Sequence, residues 1–231
     1  LRRRGILHLP HRRFRRGIIR LFRASLLKGR PFSIGQAAAA AAFPVPCRSP
    51  VSFRGVVFVL AFEMERPRSL ASAAEILEKY GSRAMVKAGG TDVLVWMRKH
   101  AVHPEVLVDL SEIPELKGIS FYPHRGIKIG ALATVNEAAE NEDVKRCYPA
   151  LRDACLSHSD ILIRNKATVL GNICASVPSG DLIPAFAVHE AVLHVFGPGG
   201  ERDIFFSDFI TGPRKNSLNP GEIVVSATLP F

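Results

Sequence analysis

The sequence predicts an α+β fold in two parts, a small α/β unit followed by a unit built on antiparallel sheet. Three observations carry this. Residues 84–110 read as strand, Gly-Gly turn, helix and strand; after Gly118 the pattern changes to short apolar or alternating runs across turn residues; and Glu222 to Leu229 closes the chain as an apolar strand. A strand–helix–strand stretch with short links is a parallel crossover, whereas short runs flanking a turn are hairpins.

Taken in order, residues 1–61 stand apart. Residues 1–62 hold 13 Lys or Arg and no Asp or Glu, so 18 of the 31 basic residues remain against 21 acidic ones from Glu63 onward. The formal net charge of +10 therefore belongs to the leader. No basic surface for nucleic acid or membrane is expected on the slightly acidic body. With arginine clusters at Arg2–Arg4 and Arg12–Arg16 and an alanine run from Ala37 to Ala42, the leader is expected to be a disordered extension with no folded role. A transit peptide, then an RNA-binding tail, are the next readings. The longest apolar run, Gly55 to Phe62, falls far short of the ~20 residues of a membrane-spanning helix.

A helix is predicted from Ser69, where Leu70, Ala73, Ala74, Leu77 and Tyr80 share a face, Ser69 caps and Gly81 stops. Ala84 to Lys87 is then a strand, Thr91 to His100 a helix and Glu105 to Leu110 a strand. Ile119 to Tyr122 and Ile127 to Ile129 form a hairpin across Pro123–Gly126. Thr134 and Glu137 have capping-box spacing, and Pro149 suits the first turn of a further helix through Ala154. Ala191 to Phe196 and Asp203 to Phe206 make a second hairpin around Gly197-Pro198-Gly199-Gly200.

Two loops are candidates for chemistry. In Val86-Lys87-Ala88-Gly89-Gly90-Thr91-Asp92-Val93 the glycines permit a sharp turn and close approach of a ligand to the main chain. Free N–H groups and a helix N-terminus there make an anion cradle, although such a pair alone is also an ordinary tight turn. Thr168-Val169-Leu170-Gly171-Asn172 is a possible partner. Cys47, Cys147, Cys155 and Cys174 lack the spacing of a zinc or iron–sulfur site. They read as reduced thiols in a cytoplasmic protein. There is no H-E-x-x-H, and His100 with His103 reads as a solvated helix end. No Gly-x-Gly-x-x-Gly follows a strand.

These loops occur with Ile129-Gly130-Ala131 and Thr134, with Ile163-Arg164-Asn165-Lys166-Ala167 leading into Thr168, with Ser179-Gly180-Asp181-Leu182-Ile183-Pro184-Ala185, and with Gly212-Pro213-Arg214-Lys215 and Pro220-Gly221-Glu222-Ile223. In that order, from about Phe62 to the end, they resemble the FAD-binding subunit of molybdenum hydroxylases, most closely the xanthine dehydrogenase branch. The resemblance implies a two-part FAD fold of the PCMH type, with subdomains at 62–118 and 119–231 and a further family domain that lies beyond this sequence. It implies that Val86 to Val93 and Thr168 to Asn172 meet the FAD diphosphate, and that Asp181 and Val224 also contact the cofactor. On chemical grounds Asp181 suits a ribityl or ribose hydroxyl, since a carboxylate repels phosphate; the plainer reading is a helix cap below Leu182 to Val188. Arg164 and Asn165 are expected to brace the loop through backbone carbonyls.

The implied chemistry is the flavin's: electrons arrive from iron–sulfur clusters and leave to an acceptor such as NAD. No residue of this chain is then a catalytic acid, base or nucleophile. The molybdopterin and 2Fe–2S clusters are expected on large and small partner subunits. One departure stands out. Leu170 occupies a position that is usually glycine in the family, so it is expected to crowd the cofactor or to strain a positive φ. The alternatives are a degenerate scaffold that no longer binds flavin, or an RNA-associated protein acting through the leader.

Overall fold

The computed structural model describes residues 60–231, so the expectations for the leader, Cys47 included, lie outside the described residues. Strands β1 (Glu63–Glu65), β2 (Ala84–Lys87) and β3 (Val106–Asp109) form a parallel sheet in the order β1-β3-β2. The crossover expected at residues 84–110 is present, with Lys87 opposite Asp109 in register. Strand β1, which has no signal in the sequence, is an addition.

Helix α1 (Leu70–Tyr80) begins where Ser69 Oγ accepts the Ser72 N–H and ends at Gly81, whose φ is 52°. Its small residues Ala73 and Ala74 let it lie close on β2 and β3. Helix α2 (Val93–Arg98) is shorter at both ends than the expected Thr91 to His100. Thr91 and Asp92 belong to the turn, and His100 takes φ 56° as the chain leaves the helix. The alternation of β3 explains why this sheet is covered on both faces. Val106 and Val108 join the main core, while Leu107 packs with Val93 and Met97 beneath α2.

Strands β4 (Ile119–Tyr122) and β5 (Gly126–Gly130) form the predicted first hairpin. Helices α3 (Val135–Glu140), α4 (Glu142–Cys147), α5 (Pro149–Ser157), α6 (Ile161–Arg164), α7 (Val169–Ala175) and α8 (Ile183–Val188) follow. The Thr134–Glu137 capping box is formed in both directions. Strands β6 (Val192–Gly197) and β7 (Gly200–Phe205) make the second hairpin, and after the short α9 (Phe206–Phe209) comes the ribbon of β8 (Ile210–Gly212) and β9 (Lys215–Asn216). The last strand, β10 (Ile223–Leu229), inserts between the two hairpins to give an antiparallel sheet ordered β4-β5-β10-β6-β7. One core joins both sheets, with Val106, Val108 and Leu110 packed together with Ile127, Ile129, Leu193 and Ala227.

Tyr148 is fully buried and its hydroxyl donates to the Leu229 carbonyl at 2.8 Å, tying α5 to the end of β10. Tyr148→Phe leaves the ring's packing and removes one buried donor. It is expected to lower the unfolding free energy by about 1–2 kcal/mol, read by urea denaturation; no change would mean that the carbonyl finds another partner.

Candidate functional site

The two glycine loops meet. A Cβ on Gly89 would overlap the carbonyl oxygen of Lys166 and stand 3.1 Å from the Ala167 Cα, so the first loop rests directly on the backbone leading into the second. The second loop is itself anchored. Val135 N–H donates to Ala167 O at 2.8 Å and Val169 N–H to Ala133 O at 3.0 Å, which bridges the starts of α3 and α7. Gly90 takes φ 84°, the left-handed region where glycine is favoured.

Between the loops lies a cleft of about 290 Å³. Its wall includes Val86, Ala88, Gly89, Gly90, Thr91, Asp92 and Val93 from the first loop, and Thr168, Leu170, Gly171 and Asn172 from the second. Val224 lines it too. Main-chain donors are available there: among the described residues no acceptor is found for the N–H groups of Gly89, Gly90, Thr91, Asp92 or Leu170. Asn172 is 7% exposed and its Oδ1 has no partner. A buried polar atom left unpaired inside a cleft is the feature a polar ligand would satisfy.

Three expected residues do not reach the cleft wall. Lys87 is held beneath the first loop, donating to Asp109 Oδ2 at 2.9 Å. Burial alone would raise the Asp109 carboxyl, but bonds from Lys87 and the Ser111 N–H bring it below its ordinary value. Val169 is fully buried and spends its N–H on Ala133. Asp181 neither caps a helix nor faces the cleft. Leu182, already in helical conformation, is the N-cap of α8 and makes no side-chain cap, while Asp181 Oδ2 accepts from His158 Nδ1 at 2.7 Å. Leu170 is corrected as well. It is 1% exposed on α7 and is not among the positive-φ residues, so the anticipated backbone strain is absent.

Of the two expected braces, Arg164 is present, whereas the Asn165 side chain makes no hydrogen bond among the described residues. Arg164 Nη1 donates to the carbonyls of Leu156 and Ser159, both at 3.0 Å, bracing the approach to α6. Thr168 Oγ1 caps α7 by accepting from Gly171 N–H at 3.1 Å. Burial pushes the Cys155 and Cys174 thiols up to about 12, which suits inert structural cysteines. Among the described residues no group of His, Cys, Asp or Glu could hold a metal ion.

Sequence reasoning missed Trp96, His158 and Asn216, which also line the cleft. Trp96 stacks under Arg214 with the guanidinium 5.4 Å from the ring centroid, and Asn216 Nδ2 donates to Cys174 O at 3.0 Å, so ribbon β8–β9 closes one side. Burial raises the Asp92 carboxyl above its ordinary value, opposed by the positive charges of His158 and Arg214. Glu222, on the wall next to Val224, accepts from Arg202 Nε and Nη2, each at 2.7 Å, and from the Asn219 N–H at 2.6 Å. The Arg202 guanidinium, chiefly, holds that carboxyl at about 2. A free glutamate titrates near ~4.3, so this contribution to stability is complete above that value and fades as the pH falls toward 2. Glu222→Gln is expected to lose about 1–2 kcal/mol at neutral pH, with the gap to the unmodified protein closing in acid. Urea melts at stepped pH check this; a gap constant down to the acid end would overturn it.

Residues 60–231 match the family described as the FAD binding domain in molybdopterin dehydrogenase. The chain is 34% identical over 165 residues to the putative xanthine dehydrogenase FAD-binding subunit of Escherichia coli (strain K12), covering 71% of this chain and 56% of that protein. It is 32% identical to the carbon monoxide dehydrogenase medium chain of Hydrogenophaga pseudoflava, over 73% of this chain and 58% of the other. The solved carbon monoxide dehydrogenase from Hydrogenophaga pseudoflava that lacks the Mo-pyranopterin moiety superposes with a TM-score of 0.73 at 30% identity, covering 75% of this chain and 60% of that one. The chain thus spans under two thirds of the length of these relatives. With paired loops, α+β architecture and sequence in agreement, the chain belongs to the family of FAD-binding domains of molybdopterin dehydrogenases.

Proposed function

We propose that residues 62–231 bind FAD noncovalently, with its diphosphate in the cleft between Val86–Val93 and Thr168–Asn172. The observation that carries this reading is the seating of Gly89 on the Lys166–Ala167 backbone, which brings the unpaired main-chain donors of the first loop and that of Leu170 to one spot. Fixed N–H groups solvate a diphosphate with little reorganisation and need no lysine, in accord with the diversion of Lys87 to Asp109. The freedom of the Gly90 backbone fits the same diphosphate, and the unpaired Asn172 Oδ1, an acceptor, fits a hydroxyl of the FAD ribityl or ribose. On this reading the parts at 62–118 and 119–231 each supply one loop, and Val224 adds an apolar contact.

When bound between Val86–Val93 and Thr168–Asn172, the flavin would supply redox chemistry linking iron–sulfur clusters to an acceptor such as NAD. This chain's residues bind and orient. They grip the diphosphate through the main chain, and Trp96, Leu170 and Val224 keep water from the wall of the cleft. The chain then serves as the FAD-binding electron-transfer part of a xanthine dehydrogenase-like molybdenum hydroxylase in the cytoplasm. The molybdopterin and 2Fe–2S centres belong to a large and a small partner subunit. The test is the absorbance spectrum of the purified protein before and after adding FAD. Flavin bands that survive gel filtration are expected; colourless protein that takes up no added FAD would overturn the proposal.

A further inference from the structure

We propose that His158, held by Asp181, is the side chain that meets the diphosphate in this cleft, and that Asp181 is a positioning residue acting through it. The inference deepens the FAD reading and rests on it. His158 lines the cleft and Asp181 does not. The imidazole is mostly enclosed, with 15% of its side-chain surface exposed, and its Nδ1 lies 2.7 Å from Asp181 Oδ2. An ionised carboxylate only accepts, so this bond assigns the Nδ1 hydrogen to the imidazole. Nε2 is then the free end, and it takes no partner among the described residues.

The charges around the ring say what Nε2 is for. Asp181 faces it from the turn before α8, Asp92 from the first glycine loop, Arg164 from α6 with Nη1 3.4 Å from the His158 carbonyl, and Arg214 lies across Asp92 on the β8–β9 turn. As the imidazolium, His158 adds Nε2–H as a charged donor to a cleft whose other donors among the described residues are neutral main-chain and side-chain groups. A phosphate oxygen bridging His158 and the first loop would also offset the Asp92 carboxylate, which otherwise repels the ligand. Neutral His158 could offer Nε2 only as an acceptor, which phosphate cannot use.

FAD should therefore bind more tightly as the pH falls, because binding takes up a proton on His158. The experiment titrates the full chain with FAD between about pH 5.5 and 8, reading quenching of flavin fluorescence. Riboflavin, which lacks phosphate, serves as the comparison ligand. His158→Gln should bind FAD about tenfold more weakly at the acid end and lose the pH slope. Asp181→Asn should match the unmodified protein at the alkaline end and show the slope displaced to lower pH, since its amide still accepts from Nδ1 but no longer favours the cation. Asp92→Asn should keep a slope, displaced to lower pH because it too removes a carboxylate facing the ring, and riboflavin should show none. His158→Gln binding with unchanged affinity and slope, or Asp181→Asn weakening FAD equally at every pH, would overturn the inference while leaving the FAD assignment standing. Unmodified protein that binds no FAD at any pH would remove both.

Discussion

Gly89→Ala is expected to separate the two loops. The atoms its methyl group would meet are main chain: the Lys166 oxygen, the Lys166 carbonyl carbon at 2.9 Å and the Ala167 Cα at 3.1 Å. None of these can rotate aside as a side chain would. Nor can the 166–168 segment retreat freely. Ala167 N–H donates to Ile163 O at 2.7 Å, and Ala167 O and the Val169 N–H are both committed to the bridge with Ala133 and Val135. The first loop must therefore move, and with it the donors of Gly89 to Asp92. Overpacking of this kind costs about 2–3 kcal/mol, and FAD retention should fall at least tenfold because the diphosphate loses one side of its cradle. Gly81→Ala is the control, since Gly81 has φ 52° with nothing within 4 Å of a Cβ. It measures backbone strain without a collision, about 1 kcal/mol, and should leave FAD retention unchanged. Urea melts and the flavin-to-protein ratio read the outcome; Gly89→Ala that matches the unmodified protein in both would refute the contact between the loops.

The legible parts of this molecule are those in which local chemistry decides. Ala84–Lys87 and Ile119–Tyr122 are strands at the positions that β-branched and aromatic residues predict, and Ser69 and Thr134 cap helices as their spacing requires. The convergence of the loops was legible only through the order of several motifs. No single Gly-Gly pair specifies its partner. What escaped is set by distant partners. Glu63–Glu65 carries no strand pattern and becomes β1 because its backbone finds the free edge of β3. Strand β10 is recognisable by composition, yet its central place between β5 and β6 has no local signal. His158 sits between two serines with no periodicity, so only the folded chain could reveal its bond to Asp181. Asp181 itself looked like a helix cap. The tight turn from Val177 to Gly180, in which the Gly180 N–H donates to Val177 O at 2.9 Å, instead delivers it to the imidazole.

Leu170→Gly, which introduces the residue that the family resemblance implies at this position, is expected to destabilise the chain without improving FAD binding. The side chain is 1% exposed and belongs to the core that packs around α7 as well as to the cleft wall. Removing it deletes a buried leucine, at about 2–5 kcal/mol, and places glycine in the first turn of a short helix, up to about 1 kcal/mol more. The strain relief anticipated for glycine at this position, beside the relief of crowding, depended on a positive φ that the backbone does not adopt, since α7 runs unbroken from Val169. Nor does the leucine obstruct a donor. Its own N–H has no acceptor among the described residues and stays available at the helix start, and the Gly171 N–H is already turned to Thr168 Oγ1. A looser α7 must instead be ordered when ligand binds, so affinity for FAD should fall by a few-fold to tenfold, roughly the effect of 1 kcal/mol. Urea denaturation and fluorescence titration with FAD measure the two quantities on one preparation. Stability held at the level of the unmodified protein together with tenfold tighter FAD binding would mean that Leu170 blocks the cofactor, and that this family member has lost affinity through that one side chain.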